Sequence, residues 1–158
     1  MSFNLAHMSD VYYAGNTAAN TDVSISWLAI VLAVIAAMAI GSIWYGPLFG
    51  KRWLKLVGLT KKDTGKGWQG PMIVMLGLAV LQAFVLSHFI AYTADFYGEF
   101  SKLAIGVITG LWAFVGFVAP VLVSNALFSK GSVELLKLNL GNQLVTLIVI
   151  GAIIGAVN

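Results

Sequence analysis

Four apolar stretches, each close to the length a helix needs to cross a bilayer, constrain this chain more than any other feature of it. They run over residues 25–49, 71–92, 103–128 and 138–157, and roughly 20 consecutive apolar residues cover a hydrocarbon core about 30 Å thick. Lipid offers no partner for backbone N–H and C=O groups, so such segments must satisfy them internally, as α-helices. A membrane barrel needs many short strands of alternating polarity instead. The expected fold is all-α: four transmembrane helices in a compact bundle over residues 25–158, preceded by a polar tail over residues 1–24. Composition agrees, with 59% apolar and only 9% charged residues, against roughly 25% charged in a soluble domain.

The placement of charge gives the expected sidedness. Six of the nine cations, Lys51, Arg52, Lys55, Lys61, Lys62 and Lys66, lie between the first and second apolar segments beside a single acid, Asp63. The connection between the third and fourth carries Lys130, Lys137 and Glu134. The tail and the remaining connection hold one cation, Lys102, against Asp10, Asp22, Asp95 and Glu99. Because basic loops stay in the cytoplasm, both termini are expected outside the bacterial inner membrane. The tail, with Tyr12 and Tyr13 suited to the interface, lacks the basic n-region of a signal peptide and reads as part of the mature protein. A net charge of +3 clustered beside membrane helices is a topology signal and an attractor of anionic lipid headgroups, so membrane lipids are expected partners and nucleic acid is not.

The helices carry distinct faces. In the first, Ala29, Ala33, Ala37 and Gly41 recur every four residues, a small-residue ridge that lets another helix approach closely. In the third, Gly106, Thr109, Gly110, Ala113, Gly116, Pro120 and Ser124 fall within an arc of about 120° on an ideal helix, and that face is expected to be buried. Gly151 and Gly155 form a GxxxG pair in the fourth. Such faces suit packing within the bundle and also oligomerisation with a second copy or another membrane protein.

Asn139, Asn142, Gln143 and Thr146 fall on one stripe of the inner half of the fourth helix, where facing lipid would be costly. Asn125, at the inner end of the third helix, lies at similar depth, and Gln82 sits near the middle of the second. These residues are the candidate ligand-binding set, outlining a polar chamber open toward the cytoplasm. The competing reading is interhelical hydrogen bonding, which contributes about 0.6 kcal/mol per bond on average.

Conventional catalytic chemistry is not signalled. Cysteine is absent, which removes disulfides, thiolate metal sites and thiol redox centres. No Ser-His-Asp order, HExxH or phosphate-cradling loop occurs, and Gly65-Lys66-Gly67 is too short for one. His88, next to Ser87, and His7 in the tail have no second ligand at helical spacing, so no metal is expected. The chain reads as non-enzymatic and without a cofactor: a structural or interaction module of the membrane, or a small carrier or channel subunit that binds a neutral polar solute or a lipid headgroup, with an enzyme that uses a membrane cofactor as the third reading.

The stretch WYGPLFGKRW, residues 44–53, closes the first apolar segment. Pro47 withholds an N–H and disfavours helix at Gly46, so the helix ends or kinks there. Trp44, Tyr45 and Trp53 read as interfacial anchors, with Pro47 at the break and Lys51 and Arg52 reaching headgroups, and KRWLKLV as a short amphipathic surface segment. A weak echo, Leu48-Phe49-Gly50-Lys51 against Leu127-Phe128-Ser129-Lys130, hints at two parallel hairpin repeats.

The span from Gly41 to Leu59, GSIWYGPLFGKRWLKLVGL, resembles the signature of the domain of unknown function 1761 family of small four-helix bacterial membrane proteins. The resemblance extends to Asn125 through Phe128, to Leu135 through Asn142 and to Gly151 through Gly155, covering nearly all of residues 27–157. At Asn142 and Gln143 this chain has amides where the family pattern leads one to expect an aromatic or His nearby. What the resemblance implies is fold and membrane location, and no activity.

Overall fold

The computed structural model describes residues 25–60, 62–63, 67–96 and 100–158. The tail, with Asp10, Asp22, His7 and its two tyrosines, lies outside the described residues, as do Lys61, Gly65, Lys66 and Glu99.

Every described element is helical. α1 (Trp27–Ile43) begins at Ser26, whose hydroxyl accepts from the Ala29 amide at 3.3 Å, and runs into a π turn over Trp44–Leu48. A short helix, α2 (Gly50–Val57), follows and is closed by Gly58 at a left-handed φ of 72°. α3 (Gln69–Phe96) returns as one unbroken helix. α4 (Lys102–Ala113), capped by Ser101, passes through a second π turn (Phe114–Val118) into α5 (Ala119–Phe128). α6 (Val133–Val157) completes the bundle. Four helical runs, Trp27–Leu48, Gln69–Ala94, Lys102–Phe128 and Val133–Val157, are long and apolar enough to cross a membrane. The chain is thus an all-helical, four-span membrane protein.

Both π turns accompany a proline. Pro47 lies inside the first, where the Phe49 amide reaches back five residues to the Trp44 carbonyl at 2.9 Å. Pro120 follows the second, where the Ala119 amide reaches the Phe114 carbonyl. A proline in a helix loses one hydrogen bond and crowds the preceding turn, and widening that turn relieves the crowding while the chain keeps its direction. The expected break at Gly46-Pro47 is therefore a bulge that passes through Phe49 into α2.

The second bulge corrects the face expected for the third span. Gly106, Thr109 and Gly110 are buried, but Gly116, Pro120 and Ser124 are exposed, and a Cβ at Gly116 would meet nothing within 4 Å. An extra residue in one turn rotates everything after it by about 100°, which carries Pro120 and Ser124 off the buried face, while Gly116 sits in the widened turn itself.

α6 is the central helix, and its most extensive packing is against α4. A Cβ on Gly106 would collide with the Gly151 carbonyl, one on Gly151 with the Gly106 carbonyl, one on Gly110 with the Leu147 carbonyl, and one on Gly155 with the Lys102 carbonyl. These glycines bring two backbones into contact inside one chain. The surface they offer a second copy is already spent. The apolar core joins Ala29, Ile30, Ala33 and Val34 of α1, Ala83, Leu86 and Ile90 of α3, Ile105 of α4, and Leu147, Ile150 and Ile154 of α6. Ala29 and Ala33 of the alanine ridge are buried in it and Ala37 packs against it, but Gly41 is not used: a Cβ there would meet nothing within 4 Å.

The two basic connections differ. α5 ends with the Gly131 amide on the Ala126 carbonyl at 2.9 Å and Lys130 at φ 51°, a closing motif that favours glycine at the left-handed position. Leu127 through Lys130 thus terminates a helix where Leu48 through Lys51 leads into one. Lys130→Gly is expected to stabilise the protein by roughly 0.5–1 kcal/mol, by relieving the side-chain crowding of that conformation; a thermal unfolding midpoint in detergent that falls would exclude it.

Candidate functional site

WYGPLFG positions the site. The Trp44 indole donates from Nε1 to the Leu138 carbonyl at 3.1 Å, and its ring occupies the notch above Gly141, where a Cβ would stand 2.9 Å from Cζ2. The Tyr45 hydroxyl donates to Oδ1 of Asn139 at 2.9 Å. Gly50 is required on its own account, because a Cβ there would lie 2.7 Å from the Tyr45 carbonyl. Read from the sequence as interfacial anchors, Trp44 and Tyr45 are in the structure the clasp that fastens α1 to α6. Arg52 pairs with Glu134 at 3.2 Å, fixing α2 over the start of α6; both side chains are more than half exposed, so the pair contributes at most about 1 kcal/mol.

Beyond this clasp the bundle opens. Every residue of α3 from Gln69 to Leu78 is exposed, whereas Ala83, Leu86, Ser87 and Ile90 are buried. The outer half of α3 is held by apolar burial, by Phe84 stacked on Trp27 at 6.2 Å and by Phe89 against Phe117 at 6.5 Å. Its inner half stands away from α1, and the space between is a cleft of about 1400 Å³.

The cleft is apolar on its walls and polar at its floor. Met38, Leu48 and Leu54 line one wall and Met72, Met75, Leu78, Leu81 and Val85 the other. Its polar lining is Gln82, Asn142, Gln143 and Thr146, of which Asn142 and Thr146 are buried on α6 at its floor. An aromatic series guards the inner rim: Tyr45 edge-on to Trp53 at 5.6 Å, and Trp53 edge-on to Trp68 at 5.9 Å. Trp68 is held by its Nε1 donating to the Asp63 carbonyl at 3.1 Å. The Asp63 carboxylate accepts from the Thr60 hydroxyl at 2.6 Å and amide at 2.8 Å, which lowers its pKa below the ordinary carboxylate value. Lys51, also at the rim, is the one side chain with a formal charge among the lining residues.

Asn142 is only 6% exposed, and its Nδ2 is without a hydrogen-bond partner among the described residues. Leaving a buried polar group unpaired costs about 1–3 kcal/mol, so a donor in that state at the floor of a cleft is suited to an acceptor from outside the chain. Thr109 Oγ1 is likewise unpartnered, but Thr109 does not line the cleft.

A family model described as "Protein of unknown function (DUF1761)" matches residues 28–155. The chain belongs to this family. Nothing among curated proteins or among solved structures matches it. The WYGPLFG segment of this DUF1761 protein thus has a structural meaning, since Trp44 and Tyr45 fasten α1 to α6 beside the cleft and Gly50 lets α2 start against the Tyr45 carbonyl.

Of the ligand-binding set read from the sequence, Gln82, Asn142 and Gln143 line the cleft. Asn139 is engaged by Tyr45, and Asn125 is exposed at the inner end of α5, away from the cleft. The methionine walls and the Trp53–Trp68 rim were not legible in the sequence, because α3 is apolar on all sides and carries no face pattern. His88 contacts its own helix, with Nδ1 2.8 Å from the Phe84 carbonyl and its ring 4.5 Å from that of Phe84. Among the described residues no cluster of three metal-ligating side chains occurs.

Proposed function

We propose that this DUF1761 protein is a non-enzymatic binding protein of the bacterial inner membrane, a carrier or a subunit of one, that holds an uncharged polar group at the floor of its inner-half cleft. The observation that carries this reading is the buried, unpaired Nδ2 of Asn142, a residue that is 6% exposed and lines an open cleft. The surrounding amides, Gln82 and Gln143, extend the same chemistry. The basic inner connections support an orientation with both termini outside. A purely structural module is the second reading. It is weakened by the use of Gly106, Gly110, Gly151 and Gly155 within one chain, which removes the surface best suited to self-association.

Electron microscopy of the protein in nanodiscs made with its native lipids is expected to show non-protein density against the Asn142 amide. Closure of the inner half of α3 onto α1 over a dry interior, with no such density, would overturn the reading.

A further inference from the structure

We infer that the cleft takes an uncharged lipid, a long-chain amphiphile whose small neutral headgroup presents a carbonyl or ether oxygen as acceptor, entering sideways from the inner leaflet between α1 and α3, with Asn142 as the donor to that oxygen. This rests on the binding reading above and names the class of molecule bound.

Three observations select the class. The floor offers a donor without a charge: Gln82, Asn142, Gln143 and Thr146 are all neutral, and Asn142 Nδ2 is unpaired and nearly buried. An anionic headgroup there would be buried without a counter-charge, which is costly at membrane depth. The depth of the donor is the second. Asn142 lies one helical turn beyond Asn139, which Tyr45 engages, and eight residues beyond Glu134, which Arg52 engages, about 12 Å at 1.5 Å per residue. A phosphate drawn to that depth would leave the interface and its counter-ions, whereas an uncharged headgroup reaches it at little cost.

The walls are the third. Met38, Met72 and Met75, with Leu78 and Leu81, make an apolar lining, and methionine adapts to flexible chains of irregular shape. Met72, Met75, Leu78 and Leu81 are also 45%, 52%, 52% and 57% exposed, so this side of the cleft is continuous with the surface that faces lipid. A water-soluble polar solute would meet these walls without hydrogen bonds, whereas a lipid tail is matched by them.

Native mass spectrometry of the whole protein, released from nonionic detergent with dioleoylglycerol as the probe, tests this. Dioleoylphosphatidylglycerol supplies the charged arm, and excess glycerol supplies the neutral water-soluble arm. One dioleoylglycerol is expected to bind saturably and to withstand glycerol, with dioleoylphosphatidylglycerol binding weakly and without saturation. Asn142→Leu removes the donor and is expected to weaken dioleoylglycerol binding about tenfold, the effect of one lost hydrogen bond. Gly41→Leu provides an independent arm: a side chain there meets nothing within 4 Å and projects into the cleft, so it is expected to block binding with the fold intact.

Dioleoylglycerol binding that glycerol displaces would overturn the lipid assignment and leave the binding reading standing. So would equal binding of both lipids that neither substitution alters, since that describes lipid adhering to the outer surface. Failure of every probe to bind wild-type protein, together with an empty cleft in nanodiscs, would remove both readings.

Discussion

Leucine in place of Gly106 or Gly151 is expected to lower the unfolding free energy by about 3 kcal/mol or more, at or beyond the usual upper range for overpacking. Each Cβ would meet the carbonyl of the facing helix, a backbone atom that cannot rotate aside. The α4–α6 contact must then separate along its whole length. Helices in lipid gain no hydrophobic driving force from associating, so close packing is most of what holds such a pair together. The matched controls are Gly41→Leu and Gly116→Leu, whose side chains would meet nothing within 4 Å; these are expected to change stability by less than about 0.5 kcal/mol. Unfolding monitored by circular dichroism in mixed micelles separates the two classes. Equal losses at all four positions would mean that helix glycine content, and not the α4–α6 contact, sets stability.

The second large effect is expected at Trp44. Trp44→Ala removes a half-buried indole, its hydrogen bond to the Leu138 carbonyl and its contact with Phe49 at a ring distance of 4.8 Å. A loss of about 2–3 kcal/mol follows, below the full cost of truncating a buried aromatic because the ring is only partly covered. Gly141→Ala attacks the same contact from the other side, since its Cβ would stand 2.9 and 3.2 Å from two atoms of the indole. In the Trp44→Ala background that methyl group has nothing to strike, so the two substitutions together are expected to cost less than their sum by about 1 kcal/mol. Strict additivity in a double-mutant cycle would show that the indole does not occupy the notch.

Much of the architecture follows from local physics. Ser26 and Ser101 cap the helices they precede, and Gly58 closes α2 as a left-handed residue. The segment KRWLKLV is the short helix that its apolar and basic alternation suggests. α6 starts five residues earlier than its apolar run, at Val133 instead of about 138. Lipid solubility ends at Glu134 and Lys137, but a helix continues past the hydrocarbon wherever its own hydrogen bonds and packing favour it. At 25 residues, α6 is about 37 Å long and extends beyond a core of about 30 Å.

The candidate site was legible in part. Four polar residues on one stripe of α6 mark a surface that avoids lipid, and that much is periodicity. Whether each amide is glue or floor is a matter of which neighbour reaches it. Tyr45 reaches Asn139 and makes it glue; no described side chain reaches Nδ2 of Asn142. The face of α5 is a plainer failure of periodicity, because a single widened turn, with Gly116 inside it, rotates Pro120 and Ser124 to the outside.

The number of spans, their helical state and the charge asymmetry of their connections are properties of individual segments, set by each segment's own hydrogen bonds and its transfer from water to lipid. The glycine contact within the chain, the clasp of Trp44 and Tyr45 on α6 and the cleft beside Asn142 are properties of pairs of segments. In a bilayer nearly every helix face is apolar enough to meet either lipid or another helix, so the faces that meet are chosen by shape: where two backbones approach to contact, where an indole finds a notch, and where one helix stands apart.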